Sequence, residues 1–347
     1  MANGVIRFID GFDHYATDDG EKKWDIFHSS NSIQSVNPSP RRVGTKYLKP
    51  GSYDSYKTLD ANYTHIIFGV AFYVTATSHV IGFYNSSGRQ FCIEVSSDGK
   101  LQVKRNGTVV VETAPGVILF NAWQYLEIMA SVANAGSIAV RLNEQVIIAQ
   151  QTVDIQDQST AGITKISLYP PGYNNVCLDD LYFATNDGYD ANDYLGDCRV
   201  DTILAVTPDI VTEWDTVYPA SPTTHFDKID DGAAGLGNID DDETYIETPT
   251  VDDYDIFDFE DVAALVDCAI VAAAVNICAR KDEGSDEIKI KPVHKKSTTH
   301  DLSSEFTLTQ NYKVYQHIEE TDPDDSSAWT EAKINASKWG AKLTYNE

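Results

Sequence analysis

Apolar and polar residues alternate with period two across much of the first half of the chain. Phe91, Ile93 and Val95 stand among polar neighbours, as do Leu101 and Val103, and Val109 and Val111 follow. Between these runs lie Asp98-Gly99 and Asn106-Gly107. Alternation puts every second side chain on one face of a strand. Asp-Gly and Asn-Gly suit the type I′ hairpin turn, whose two central residues need positive φ. The pattern predicts a three-stranded antiparallel meander. Residues 64–74, THIIFGVAFYV, are β-branched and aromatic without alternation, which predicts a strand buried on both faces. Further short strands are expected at 5–9, 80–84, 123–132, 138–142, 146–148, 163–169 and 176–183, with Asn143-Glu144 as a turn. Short strands at regular spacing, with no convincing helix, predict a β-sandwich.

Residues 176–200, VCLDDLYFATNDGYDANDYLGDCRV, pass from a strand into a stretch rich in Asn, Asp and Gly. These residues favour turns because they cap their own amides or tolerate left-handed backbone. Apolar residues resume at Val200, Ile203, Leu204 and Val206, a run closed by Pro208. The expected organisation is a β-sandwich domain at 1–184, a junction at 185–196 and a second β-rich domain at 197–347. In the second half, strands are expected at 266–279, 288–293, 308–317 and 341–345. Trp329-Thr330 starts a short helix there, and Gly340 stops it. The expected class is all-β: two β-sandwich, jelly-roll-like domains in tandem, with at most a short helix near the C-terminus.

Composition fits sheets, with 19 Tyr against two Met. The formal net charge of −27 repels phosphates and anionic lipid, so neither nucleic acid nor membrane is an expected partner. Acidity is concentrated at 209–262, where 17 Asp and Glu face Lys228 alone. Five cysteines without a CxxC pair predict reduced thiols made in a cytosol. Cys268 and Cys278, placed on one strand, would stand about 33 Å apart, beyond disulfide reach. The start MANGVIRFIDGF predicts no signal peptide, and the apolar run 263–279 is too short to span a bilayer and is broken by Asp267 and Asn276.

The meander, the strand opened by Trp123, the I-x-V-x-L-N run ending at the turn residue Asn143 and the closing L-D-D-L-Y resemble the concanavalin A-like or laminin-G-like jelly roll. This resemblance covers residues 4–184 and implies a fold that hosts lectins, glycosidases and structural modules alike. A second ordered set follows: Leu195, Gly196, Asp197, Arg199, Val200, Trp214, Asp241, Asp242, Thr244, Tyr245, Asp255, Phe257 and Phe259. It continues through Ala279, Arg280, Lys281, Asp322, Pro323, Trp329, Thr330 and Gly340. That set resembles the C-terminal half of a group of tailed-bacteriophage virion proteins. Two departures stand out: Ile229-Asp230-Asp231 replaces a V-D-E element, and Ser326 lies near where a Thr follows the Asp-Pro pair. The resemblance implies a virion structural protein made in the host cytoplasm, acting by assembly and attachment without catalysis. Its partners would be copies of itself, a trimer by analogy with phage fibres and spikes, and other virion proteins. The alternative is a lectin-like module that recognises host surface glycan.

No catalytic set is expected. G-x-S-x-G, H-E-x-x-H, the P-loop and G-x-G-x-x-G are absent, and Gly235-Leu236-Gly237 lacks a third glycine. Asp258 and Glu260 have the alternate spacing that a glycosidase carboxylate pair would use, but neighbouring acids favour a solvated edge. Asp240, Asp241, Asp242 and Glu243 are the metal candidates, for Ca²⁺, with the acid-rich stretch 10–19 beside them. EF-hand spacing is missing, and consecutive acids on extended chain point opposite ways. No other cofactor is expected. The five tryptophans fit core positions better than sugar stacking, and the basic residues Arg280, Lys281 and 289–296 fit ion pairs with the acidic stretch. Mild proteolysis should cut first within 184–196 and release two stable pieces; earlier cuts inside the meander would displace the boundary.

Overall fold

A computed structural model describes the chain except residues 1–4, 37, 42–44, 169–174, 186–193, 230–238, 263–267, 283 and 347. The chain forms two units, Met1–Asp13 with Trp24–Asp201, and His14–Lys23 with Thr202–Glu347. Most of the expected junction, 186–193, lies outside the described residues. The protein is all-β apart from short helices, as the alternation predicted.

The first unit holds fourteen strands: β1 (Val5–Asp10), β2 (Ser32–Gln34), β3 (Tyr47–Lys49), β4 (Tyr56–Tyr63), β5 (His65–Val74), β6 (Ser78–Asn85), β7 (Gly88–Val95), β8 (Leu101–Arg105), β9 (Thr108–Glu112), β10 (Trp123–Ser131), β11 (Ser137–Leu142), β12 (Gln145–Thr152), β13 (Ile163–Ser167) and β14 (Val176–Thr185). An eight-stranded sheet runs β12-β11-β10-β5-β14-β3-β2, with β1 also on β14. A six-stranded sheet runs β4-β13-β6-β7-β8-β9. The two meet through aromatic rings: Phe68 of β5 stands edge-on to Phe83 of β6 at 5.4 Å, and Phe83 stacks on Phe91 of β7 at 4.6 Å.

Strands β7 to β9 are the predicted meander. Asn106 and Gly107 both have positive φ, 45° and 76°, as a type I′ turn requires. The Asp98-Gly99 turn differs from expectation. Only Gly99 is left-handed there, Ser96 O accepts from Gly99 N, and Ser96 N donates to Lys100 O. The extra length makes an unprimed turn closed by a glycine bulge, the usual solution for a three-residue loop. Asn143 and Glu144 adopt φ of 48° and 64°, and the Asn143 side chain accepts from Tyr125 N, pinning β10 to the β11–β12 turn.

Strand β5 is buried from Ile66 to Phe72 because β10 and β14 flank it and both faces are covered. Across its centre runs one row: Glu127 of β10, Gly69 of β5 and Tyr182 of β14. A Cβ on Gly69 would lie 2.0 Å from the Tyr182 ring. The bare backbone therefore admits the ring, which crosses it so that Tyr182 OH donates to Glu127 Oε1 at 2.7 Å. A bulge at 179–182 sets this register, with Asp180 at φ 49°, a conformation that Asp tolerates better than most residues.

The second unit contains helix α1 (Gly20–Lys23) and strands β15 (Ala205–Thr212), β16 (Thr216–Tyr218), β17 (Tyr245–Glu247), β18 (Tyr254–Phe259), β19 (Ala273–Ala279), β20 (Ile288–Lys295), β21 (Thr299–Asp301), β22 (Phe306–Thr307) and β23 (Lys313–Glu319), then helix α2 (Glu331–Ala336) and strand β24 (Lys338–Asn346). Its main sheet runs β15-β18-β24-β20-β21, with β22 on β20, and β16–β17 and β19–β23 form separate ribbons. Thr330 caps α2 by accepting from Lys333 N, as predicted.

Four expectations need correction. Strand β15 continues past Pro208 to Thr212, with a register shift between Val206 and Asp209. An edge strand with a bulge is where a missing N–H costs least. The strand expected at 266–279 starts at Ala273, its residues 266 and 267 lying outside the described ones, and exposed Cys268 precedes it, so the strand-based separation from Cys278 does not apply. The strand expected from 308 starts at Lys313. Gly340 does not stop α2, which ends at its cap Ser337; it sits in β24, where a Cβ would fall 1.7 Å from Asp255 O.

Gly69→Ala should force the Tyr182 ring aside, break its bond to Glu127 and cost roughly 2–4 kcal/mol. Urea unfolding reads this directly. An unchanged midpoint would show that the ring does not depend on the bare backbone.

Candidate functional site

Because Phe83, Phe91 and Ile93 face the sandwich core, their neighbours on β6 and β7 face away from the eight-stranded sheet. Three meet on that outer face. His79 of β6 is paired across the strands with Glu94 of β7, and Cys92 lies two residues before Glu94. A shift in register between His79 and Ile81 is what turns His79 to this side. His79 Nδ1 is 3.7 Å from Glu94 Oε1, and Cys92 Sγ is 3.7 Å from the same oxygen. Lys104 of β8 holds the other oxygen, Oε2. Nearer β4, Lys165 Nζ lies 4.2 Å from the Tyr56 ring centre and 4.9 Å from that of Tyr84.

Burial decides the charges here. His79 is 2% exposed, and neither ring nitrogen has a partner within 3.5 Å; Nδ1 has only the long 3.7 Å approach to Glu94 Oε1. Burial lowers its pKa and keeps it neutral. Burial pushes the Cys92 thiol up to about 12. It would raise Glu94 as well, but His79 and Lys104 outweigh it and bring that carboxyl down to about 2. Among the described residues, His79, Cys92 and Glu94 form the one group of three or more His, Cys, Asp or Glu whose ligand atoms lie within 4.8 Å of one another.

Sequence reasoning did not single out this trio. A Cys-x-Glu on one strand is a faint signal, and His79 by parity alone belongs with Ile81 and Phe83 on the core face. The acidic run it did single out is placed differently. Asp241 pairs with Lys22, Asp242 pairs with Arg280 and accepts from Tyr312 OH, and Asp240 accepts from Thr244. Asp240 to Glu243 thus form a turn in which Asp240, Asp241 and Asp242 meet cations and hydroxyls of the protein. In the stretch 10–19, Asp10 accepts from Trp24 Nε1 and Phe12 N, Asp13 from Lys46 N, and Asp19 pairs with Lys22.

Asp258 pairs with Lys338, while Glu260 accepts from Leu204 N, so the alternate carboxylates are engaged separately. Of the basic residues, Arg280 reaches the acidic stretch through Asp242, but Lys289, Lys291 and Lys296 pair with Glu287, Glu305 and Asp322. Trp24, Trp329 and Trp339 are buried; half-buried Trp123 and Trp214 donate to Ser39 O and Asp253 O. Among the described residues no helix is long and apolar enough to cross a membrane.

No protein-family model and no curated protein matches this chain. Solved structures with a similar arrangement include an endo-β-1,4-glucuronan lyase from the fungus Trichoderma reesei, 11% identical, covering 52% of this chain and 96% of that one at a TM-score of 0.35. The alginate lyase Aly36B is 8% identical and covers 53% of this chain and 98% of that one, TM-score 0.36. Trypanosoma rangeli sialidase is 10% identical and covers 44% of this chain and 26% of that one, TM-score 0.32. Such likenesses say nothing about activity.

The residues that carry the resemblance in the second half do structural work. Asp255 is 1% exposed; it accepts from Glu213 N, Trp214 N and His225 Nδ1, and its carbonyl fills the space beside Gly340. Asp322, fully buried, binds Lys296 and accepts from Asp324 N, while its carbonyl accepts from Ser326 N. Trp329 donates to Glu319 O and packs on Trp339 and His294. The segment Leu195 to Val200 is fastened within the first unit instead. Gly196 N donates to Glu127, Arg41 binds Asp180 and Asp197, and Val200 N donates to Asp180.

Burial would raise the Asp322 carboxyl, but Lys296 and the Asp324 amide outweigh it and hold it below 3.8. A depressed acid contributes stability above its unfolded pKa and loses it as pH falls through the folded value. The second unit should therefore weaken progressively below about pH 3.8. Asp322→Asn should lower stability at neutral pH and make the acid dependence shallower, as followed by tryptophan fluorescence in denaturant. An unchanged slope would remove Asp322 from the account.

Proposed function

We propose that the chain is a structural component of a tailed-phage virion, on the tail, collar or head surface, that acts by assembly and attachment without catalysis. One observation carries this reading: Asp255, Asp322 and Trp329, which bear the resemblance in order along the chain, are buried in the framework of the second unit, and Gly340 packs bare against the Asp255 carbonyl. Residues kept for framework suit a protein that works as a shaped surface. The partners are copies of the chain, as a trimer, and other virion proteins. The 17 acids at 209–262 keep free subunits apart in the host cytoplasm before docking.

A second reading rests on a different feature. Lys165 between the rings of Tyr56 and Tyr84 forms a polar-aromatic platform on the six-stranded sheet, of the kind that stacks on sugar rings. It favours recognition of a host surface glycan from the same particle.

Purified protein should scatter light as a trimer, and polysaccharides incubated with it should release neither reducing ends nor unsaturated uronates above background. A monomer that cleaves a polysaccharide, and loses that activity on Asp258→Ala or Lys165→Ala, would overturn the structural reading.

A further inference from the structure

We propose that His79, Cys92 and Glu94 bind a transition-metal ion, best matched by Zn²⁺, on the outer face of the six-stranded sheet. Imidazole nitrogen, thiolate sulfur and one carboxylate oxygen are the donor set that Zn²⁺ prefers. A tetrahedral Zn²⁺ with nitrogen and oxygen at about 2.1 Å and sulfur at about 2.3 Å holds neighbouring donors about 3.4–3.6 Å apart. Glu94 Oε1 lies 3.7 Å from both His79 Nδ1 and Cys92 Sγ, close to that spacing, and all three donor atoms lie within 4.8 Å of one another.

His79 is the independent sign of a ligand. A neutral imidazole has one donor and one acceptor, and burying both without partners costs roughly 1–3 kcal/mol. Native structures rarely leave such a group unexplained. An ion at Nδ1 supplies the partner for the acceptor nitrogen, with the proton on Nε2. Lys104 acts as the supporting contact, because by holding Oε2 it leaves Oε1 aimed at the other two donors. Gly82, paired with Cys92, borders the trio: a Cβ there would stand 2.8 Å from the Tyr84 ring and 3.4 Å from His79 Nε2.

Binding balances simply. The Cys92 thiol loses its proton to solvent as the Zn–S bond forms, and no electron is transferred. Thiolate and carboxylate together cancel the charge of the ion, leaving one positive charge on the Lys104 ammonium that holds Oε2. Three protein donors leave one position for water or a ligand.

The full chain, stripped with chelator, is titrated with Zn²⁺ alone and with Co²⁺ alone. Expected are one ion bound per chain, about one proton released per ion in calorimetry across buffers, and a sulfur-to-cobalt charge-transfer band. Cys92→Ser should abolish that band, and Glu94→Gln should weaken Zn²⁺ binding 10- to 100-fold. Cys268→Ser, at an exposed thiol, should change neither. X-ray absorption on unmutated protein loaded with Zn²⁺ needs no variant to fold and should show one sulfur neighbour. Absence of stoichiometric binding, a zinc shell without sulfur, or a band that survives Cys92→Ser would each overturn the site.

Discussion

A ring crossing bare backbone fixes the first unit. Gly69 has no side chain, so Tyr182 lies across it and reaches Glu127 on the next strand but one. The buried Glu127 carboxylate, which burial pushes above its ordinary pKa, would otherwise be costly. Its Oε1 instead accepts from Tyr182 OH and from Gly196 N. That second bond, with Val200 N on Asp180 and Arg41 on Asp180 and Asp197, ties the outgoing chain to the eight-stranded sheet. The sheet's central row thus also sets where the first unit ends, at Asp201.

Buried carboxylates do similar work in the second unit. Asp255 gathers two backbone amides and His225, and Asp322 orders the turn before α2 while binding Lys296. Each is a charge removed from water, tolerated because donors surround it. Such groups define a single arrangement of loops on a sheet. Their burial places Asp255 and Asp322 in framework positions of the second unit.

Much of this was legible from the sequence where the cause was local. The meander followed from period-two alternation and from Asn106-Gly107, whose φ values a type I′ turn demands. Thr330 as a helix cap was legible for the same reason. Where a cause was non-local, reading failed. Gly340 looked like a helix stop, but its role is set by Asp255, 85 residues earlier in the chain. The His79, Cys92 and Glu94 trio was hidden because a register shift on β6 turns His79 from the core face to the outer one. Parity along a strand cannot announce its own bulge. The acidic run drew notice as a metal candidate by composition, yet Lys22 and Arg280, far away in sequence, meet its carboxylates.

The central claim, that the chain works as a fixed part of a particle, is tested most directly by imaging that particle at a resolution that traces side chains. The account predicts density for both units at a symmetric position, each copy touching its neighbours, with Asp255 and Asp322 buried inside the second unit. Finding the chain missing from purified particles, while the free protein turns over a polysaccharide, would contradict it.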